Sequence, residues 1–290
     1  MNGTTTIVDY LGVSKNLEIE ALKRNDKKIQ LVVREADVPF MNALRRNVIA
    51  EVPCMAIDEV VIIENSSVLQ DEIIAHRLGL IPLKTDLDSY NLPENCSCQS
   101  EFGCNLCRVS LTLDAEATES TRTVYSQELI SENPDINPVS ERIPITKLAK
   151  DQKLKLEAYA RLGKGKNHAK WQPVSMCTYK YFPKILIEDR ECDACAKCVD
   201  ICPRKVLNKS GNKIHIRDLM ACTLCQDCVD ACPKDPPAIE VKWEEGQFIF
   251  NLESTGTLTP ERTIKEAINF LNNQLEDFKE QIKKENADEE

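Results

Sequence analysis

Cys192-Asp-Ala-Cys195-Ala-Lys-Cys198-Val-Asp-Ile-Cys202-Pro203 is followed thirty residues later by Cys222-Thr-Leu-Cys225-Gln-Asp-Cys228-Val-Asp-Ala-Cys232-Pro233. Both runs read C-x2-C-x2-C-x3-C-P. In that spacing a tight loop aims three thiolates at three corners of an iron–sulfur cubane and carries the fourth away to the other cluster. The expectation is two [4Fe-4S] clusters with crossed ligation. One takes Cys192, Cys195, Cys198 and Cys232, and the other takes Cys222, Cys225, Cys228 and Cys202. Ala194, Ala196, Val199, Ile201, Val229 and Ala231 place small or apolar neighbours beside the ligands, which limits water and so bears on the potential. Zinc in both loops is a poorer match, because an isolated structural zinc needs four ligands rather than an eight-cysteine double pattern.

Outward from this repeat, the chain reads as an ordinary soluble globular protein. It has 290 residues, 42% hydrophobic and 29% charged, a length that suits about two domains. Its 14 cysteines cluster in C-x2-C patterns without an export signal, which points to metal in a reducing compartment rather than to disulfides. Thr4 to Val13 is too short and too uncharged at its front for a signal peptide, and no run approaches a membrane span. A cytoplasmic protein without a membrane partner is expected. The net charge of -10 argues against a direct grip on nucleic acid, since such binding neutralises phosphates with Lys and Arg.

A second group, Cys96-x-Cys98-x5-Cys104-x2-Cys107, places four thiolates within twelve residues. That is enough to close a structural zinc site with no open position for chemistry, although unligated thiols or redox pairing stand as alternatives. Cys54 and Cys177 stand alone and read as small buried hydrophobes. The basic run Arg161-Leu-Gly-Lys164-Gly-Lys166-Asn-His168-Ala-Lys170-Trp171 lacks the order of a phosphate loop; it reads either as a solvated loop or as a surface that docks on an acidic partner. Arg45-Arg46 and His76-Arg77 read as solvated or ion-paired helix positions, and Asp86-x-Asp88 is too lone a pair to hold catalytic magnesium. No catalytic residue is expected.

The remaining pattern is mixed α and β. Leu17 to Glu35 alternates across a polar turn at Lys23 to Lys28, which predicts two strands. Asp37 is a candidate N-cap, with Pro39 in the first turn and Phe40, Leu44 and Val48 on one face of the helix that follows. Ala56 to Ile63 reads as a buried strand and Leu69 to Leu78 as a short helix stopped by Gly79 to Pro82. Strands follow at Val109 to Leu113, from Leu154, and at Val174 to Phe182, Lys213 to Ile216, Ala238 to Val241 and Phe248 to Leu252. Thr259 caps and Pro260 starts a long helix whose seam is Ile264, Ile268, Leu271, Leu275, Phe278 and Ile282. Steps of four and three make this a heptad seam, which packs either on its own domain or on a partner helix.

Asp37-Val-Pro-Phe40-Met-Asn-Ala-Leu-Arg45-Arg46-Asn-Val-Ile-Ala-Glu-Val-Pro53, Asp71-Glu-Ile-Ile-Ala-His76-Arg77-Leu-Gly79-Leu-Ile-Pro82 and Gly163-Lys-Gly-Lys-Asn-His168-Ala-Lys170-Trp171-x-Pro173 resemble the alpha-like subunits of cellular RNA polymerases. With the two-cluster insertion, the likeness is greatest to the archaeal D type, and it spans about 15 to 285. The resemblance implies an α+β fold in three parts. Residues 1-52, 152-184 and 242-290 would form a discontinuous dimerisation domain, 53-151 an inserted mainly-β domain with the cysteine loop, and 185-241 a ferredoxin-like two-cluster domain.

It also implies a non-catalytic subunit that pairs with a smaller one, subunit L in archaea, as the platform on which the large catalytic subunits assemble. Phe40, Leu44, Val48, Ile264, Ile268, Leu271, Leu275, Phe278 and Ile282 would then line the dimer interface. The inserted domain and Arg161 to Lys170 would face the second-largest subunit and the small zinc subunits. The competing function is a ferredoxin-type electron carrier. Outside the cluster repeat, however, no flavin or dinucleotide signature offers electrons a destination.

Overall fold

The computed structural model describes residues 17–100 and 102–288, with side chains to 284, so Thr4 to Val13 lies outside the described residues. In chain order the elements are β1 (Glu18–Arg24), β2 (Lys28–Arg34), α1 (Val38–Ala50), β3 (Pro53–Asn65), α2 (Asp71–Gly79), β4 (Val109–Glu116), β5 (Arg122–Tyr125), β6 (Ile130–Ser131) and β7 (Pro144–Leu148). The second half adds β8 (Lys153–Lys164), β9 (Val174–Ile187), α3 (Lys197–Ile201), β10 (Leu207–Ser210), β11 (Lys213–Ile216), α4 (Asp227–Asp230), β12 (Ile239–Ser254) and α5 (Pro260–Asp288). Two compact units divide these elements. One takes 17–24, 30–41 and 178–251, and the other takes 25–29, 42–177 and 252–288. No helix among the described residues is long and apolar enough to cross a membrane.

The first unit is organised by a four-stranded sheet in the order β1-β2-β12-β9. The stretches expected as two strands, Ala238 to Val241 and Phe248 to Leu252, are joined in one strand of 16 residues, β12, which starts at Ile239. Gly246 allows this at the break, with φ 70 and its carbonyl accepting the Ala36 N–H at 3.1 Å. Such a backbone angle costs an L side chain about 1–2 kcal/mol. The cluster module hangs on this frame. Its small core joins Ile185, Ala194, Val206, Leu207, Ile214, Cys222, Ile239 and Val241, with most of the repeat cysteines packed against them. The β10–β11 hairpin supplies Leu207 and Ile214.

The second unit is built on the sheet β3-β8-β4-β6, with β5 and β7 as a separate pair. Strict alternation in β8 buries Leu154, Leu156, Ala158, Ala160 and Leu162, and β4 answers with Val109, Leu111, Leu113 and Ala115. These residues form the main hydrophobic core together with Ile74 and Leu78 of α2. The expectation of a buried strand at Ala56 to Ile63 holds only for its first half. β3 pairs only with β8, at the sheet edge, and its register shifts between Ile57 and Glu59. Val60 and Ile62 then pack on the core, whereas Val61 and Ile63 stand 52% and 55% exposed. A sheet covered on one face divides alternate residues in this way.

The helix boundaries follow their caps. Asp37 Oδ1 accepts the Phe40 N–H at 2.8 Å, and Thr259 Oγ1 accepts the Arg262 N–H at 3.3 Å, so both capping residues satisfy otherwise unpaired donors. Bidentate contacts of 2.7 and 3.1 Å between the Arg262 guanidinium and Asp88 fasten the start of α5. That pairing lowers the Asp88 carboxyl, so Asp88 has an intramolecular partner; Asp86 Oδ1 accepts the N–H groups of Asp88 and Ser89.

Candidate metal centres

The two halves of the cysteine repeat share one backbone design. Ala194 and Ala196 have φ 54 and 67, and the equivalent Leu224 and Gln226 have φ 60 and 70. Left-handed alanine, leucine and glutamine cost about 1–2 kcal/mol each relative to ordinary helix geometry. Alternating left- and right-handed residues turn a backbone into the concave nest typical of anion and iron–sulfur sites. After each nest a short helix, α3 or α4, carries the third cysteine, Cys198 or Cys228.

Two concavities result. The first is lined by Cys192, Cys195, Cys198 and Cys232 among Ile187, Ile214 and Ile239. The second is lined by Cys222, Cys225, Cys228 and Cys202 among Ile185, Val206, Leu207 and Val241. Each trio thus stands with the fourth cysteine of the opposite repeat. None of the eight forms a disulfide. Burial, reinforced by the neighbouring thiols Cys222, Cys202 and Cys225, pushes Cys228 up to about 11, and burial likewise raises Cys198. Four gathered thiols in an apolar shell resist ionisation unless a cation neutralises them, which is the donor chemistry that soft metal clusters satisfy.

Cys96, Cys98, Cys104 and Cys107 also converge, with all four Sγ atoms within 4.8 Å of one another. The separations Cys96–Cys104, Cys98–Cys107 and Cys104–Cys107 are 3.7, 3.8 and 3.9 Å. A tetrahedron with metal–sulfur bonds of about 2.3 Å has edges of about 3.8 Å, so the cage has the size of a zinc site. A turn at Gly103, φ 75, brings the halves together, and the backbone N–H of Cys104 points at Cys107 Sγ at 3.1 Å. Burial pushes Cys107 up to about 12, while Cys98, receiving the Ser100 backbone N–H, is drawn down to about 7.

The isolated thiols are different. Cys54 and Cys177 are buried, and desolvation raises both, Cys177 to about 12.

The basic segment is neither a loose loop nor a patch of unpaired charge. Arg161 and Lys170 both pair with Asp58, and Lys164 and Lys166 both lie 3.4 Å from Glu51. Asp58 and Glu51 carry no local sequence signal of this role, because the partners are more than a hundred residues away. The two glycines of the run are steric necessities. A Cβ on Gly163 would lie 2.3 Å from the buried Trp171 ring, and one on Gly165 would lie 2.1 Å from the Ile49 carbonyl. Gly165→Ala is therefore expected to destabilise the second unit by roughly 1–3 kcal/mol, seen as a lower thermal midpoint. An unchanged melt would refute this packing. Of the remaining charged pairs, Arg45 binds Asn42 Oδ1 and Arg77 binds the Pro144 carbonyl.

The α5 seam changes character along its length. Ile264, Ile268 and Leu271 are half-buried, whereas Leu275, Phe278 and Ile282 are 49%, 60% and 42% exposed. In α1, Leu44 and Val48 are buried within the chain itself and Phe40 is half-buried.

Comparison with known proteins places these features in context. Residues 60–178 match the RNA polymerase Rpb3/RpoA insert domain, and residues 183–235 match the 4Fe-4S dicluster domain. The chain is 44% identical to the DNA-directed RNA polymerase subunit Rpo3 of Archaeoglobus fulgidus, over 90% of this chain and 96% of that one. Identity to Rpo3 of Methanothermobacter thermautotrophicus is 43%, over 90% and 97% of the two chains. The DNA-directed RNA polymerase II subunit rpb3 of Dictyostelium discoideum is 36% identical over 93% of this chain and 96% of its own.

Proposed function

Because the chain belongs to the Rpo3/Rpb3 family of DNA-directed RNA polymerase subunits, we propose that it acts as a non-catalytic assembly platform whose iron–sulfur module braces the surface on which other subunits gather. The single observation that supports this role best is the outer half of α5. Three large apolar side chains, Leu275, Phe278 and Ile282, stand exposed there at heptad spacing. A second helix of the same kind covers such a seam. The occupant we infer is a smaller subunit of the polymerase, the counterpart of archaeal subunit L. Ile264, Ile268 and Leu271 continue the seam toward the start of α5, and Phe40, Leu44 and Val48 of α1 are the further residues we assign to the dimer interface, Phe40 half-buried and the other two buried within the chain. The large subunits would then dock on the resulting dimer, with the second-largest subunit and the small zinc subunits on the inserted domain.

Both cysteine concavities fit a cubane in donor set and apolar lining, so we assign one [4Fe-4S] cluster to Cys192, Cys195, Cys198 and Cys232. The other goes to Cys222, Cys225, Cys228 and Cys202. Bound there, a cluster supplies covalent cross-links within a module of few core residues and a place to hold an electron. The cysteine residues hold it, and the surrounding isoleucines and valines exclude water from it. The Cys96 to Cys107 cage is assigned to one structural zinc on the size of its sulfur tetrahedron. Cys107→Ser is expected to eliminate one equivalent of zinc from the purified chain while sparing its iron. A wild-type protein free of zinc, with all four thiols open to alkylation, would refute that assignment.

The platform reading is tested by anaerobic co-expression with the candidate small subunit, followed by mass measurement and metal analysis. A heterodimer containing iron is expected. A monomer that passes electrons to a reductase would instead favour the ferredoxin reading, which the family match across nine-tenths of the chain disfavours.

A further inference from the structure

Lys180, on β9, extends its side chain to the cluster module, where Nζ donates to the carbonyls of Met220 and Cys222, both at 2.6 Å. The residue is half-buried, so its ammonium gives up part of its hydration, which carries a cost. The two carbonyls offset that cost, and they belong to the turn that presents Cys222 to the second concavity. A second tether joins the same loop to the neighbouring strand, where Gln226 Nε2 donates to the Val241 carbonyl of β12 at 2.9 Å.

The first loop has no equivalent. Among the described residues no side chain donates to the carbonyl of Arg190 or Cys192, the positions thirty residues earlier. Its charged contact is Lys234 with Asp193 at 3.2 Å, where both side chains are solvent-exposed. Exposed pairs of this kind are weakly held and largely neutralise one another. Lys234 and Arg204, thirty residues apart, line the first and second concavities in equivalent positions, so the cation without a counterpart is Lys180.

We propose that Lys180 is a positioning residue that makes the two clusters unequal: it pins the second cluster's ligand loop to the framework sheet and raises that cluster's reduction potential above that of the first. This rests on the assignment of a cluster to each set of four cysteines. Adding an electron makes a thiolate-ligated cluster more negative, and a fixed ammonium bonded to the carbonyl of the ligand residue Cys222 favours that state. The same two hydrogen bonds hold Cys222 in place against thermal opening of the loop, as outer partners of metal ligands generally do.

The test uses the full chain, prepared anaerobically, as wild type, Lys180→Met and Lys180→Arg. Each is titrated through its two reduction midpoints by electron paramagnetic resonance, and iron release to EDTA is followed by absorbance. The Met variant is expected to lower one midpoint, leave the other in place, and release half its iron about 10-fold faster or more. The Arg variant, which keeps the charge, restores the midpoint. Repeating the titration with Cys232→Ser, which retains the second cluster, should reproduce the shift, and with Cys202→Ser, which retains the first, should abolish it. Should either cysteine variant be unstable, the two-cluster chain still decides the matter. Two unmoved midpoints, or two equally moved ones, would overturn the proposal. Wild-type protein without iron would overturn the cluster assignment itself, a failure distinguishable from the first.

Discussion

Cys202→Ser is expected to remove the iron of the loop at Cys222, Cys225 and Cys228, which keeps all three of its own cysteines, and to spare the loop in which the substitution lies. The reason is the arrangement of the two concavities, each completed by the fourth cysteine of the opposite repeat. Iron and sulfide analysis should fall to about half of wild type, the amount held by one of two clusters. The structural effect should exceed that of an ordinary core substitution. The module's core comprises few residues, Cys222 and Ala194 among them, so a cluster supplies a large share of what holds it folded. For comparison, structural zinc contributes roughly 10–16 kcal/mol to small domains. Limited proteolysis should then cut within 185–241 before it cuts the β3-β8-β4-β6 sheet. Full iron retention, or loss of the cluster in the substituted loop instead, would disprove the crossed arrangement.

Phe278→Asp combined with Leu275→Asp is the second large effect, and it falls on assembly rather than on folding. Both side chains are exposed in the isolated chain, at 60% and 49%, so their replacement should leave the melting profile almost unchanged. In the proposed pairing the same positions would be central anchors, where truncation costs upwards of 2 kcal/mol each and a buried unpaired carboxylate costs more. Two such losses weaken pairing by at least about 10³-fold. Light scattering of the co-expressed pair should show a monomer where the wild type gives a heterodimer. A persistent heterodimer would remove α5 from the interface.

Much of this was legible in the sequence, for physical reasons that differ by region. The cysteine spacing predicts which thiols gather, because x2 gaps keep three thiolates in one tight loop while the turn after the x3 gap carries the fourth to the opposite loop. The caps at Asp37 and Thr259 fix helix starts through hydrogen bonds that span only three residues. The α5 seam reads at once as a heptad, and the exposure of Leu275, Phe278 and Ile282 is what the proposed pairing would cover.

What the sequence did not show is long-range. Glu51 and Asp58 neutralise the run from Arg161 to Lys170 from positions more than a hundred residues earlier, and no local pattern records such pairing. Lys180 sits in an alternating strand and looks like any solvated lysine until the Met220 and Cys222 carbonyls are placed beside it. The short strands β5, β6, β7 and β10 escaped notice because two to five residues are too few for a period to register. Ala238 to Val241 and Phe248 to Leu252 read as separate strands, whereas the backbone carries both in one strand with Gly246, at φ 70, between them.

The crossing of the fourth cysteines also has a bearing on biosynthesis. A ribosome delivers Cys192, Cys195 and Cys198 first, yet their set is closed by Cys232, the last of the eight to emerge, while the later trio waits only for its own loop to join Cys202. With one cubane assigned to each set, the one nearer the end of the message would be the first that a nascent chain can finish, and a chain stalled between residues 228 and 232 would be capable of one and not the other.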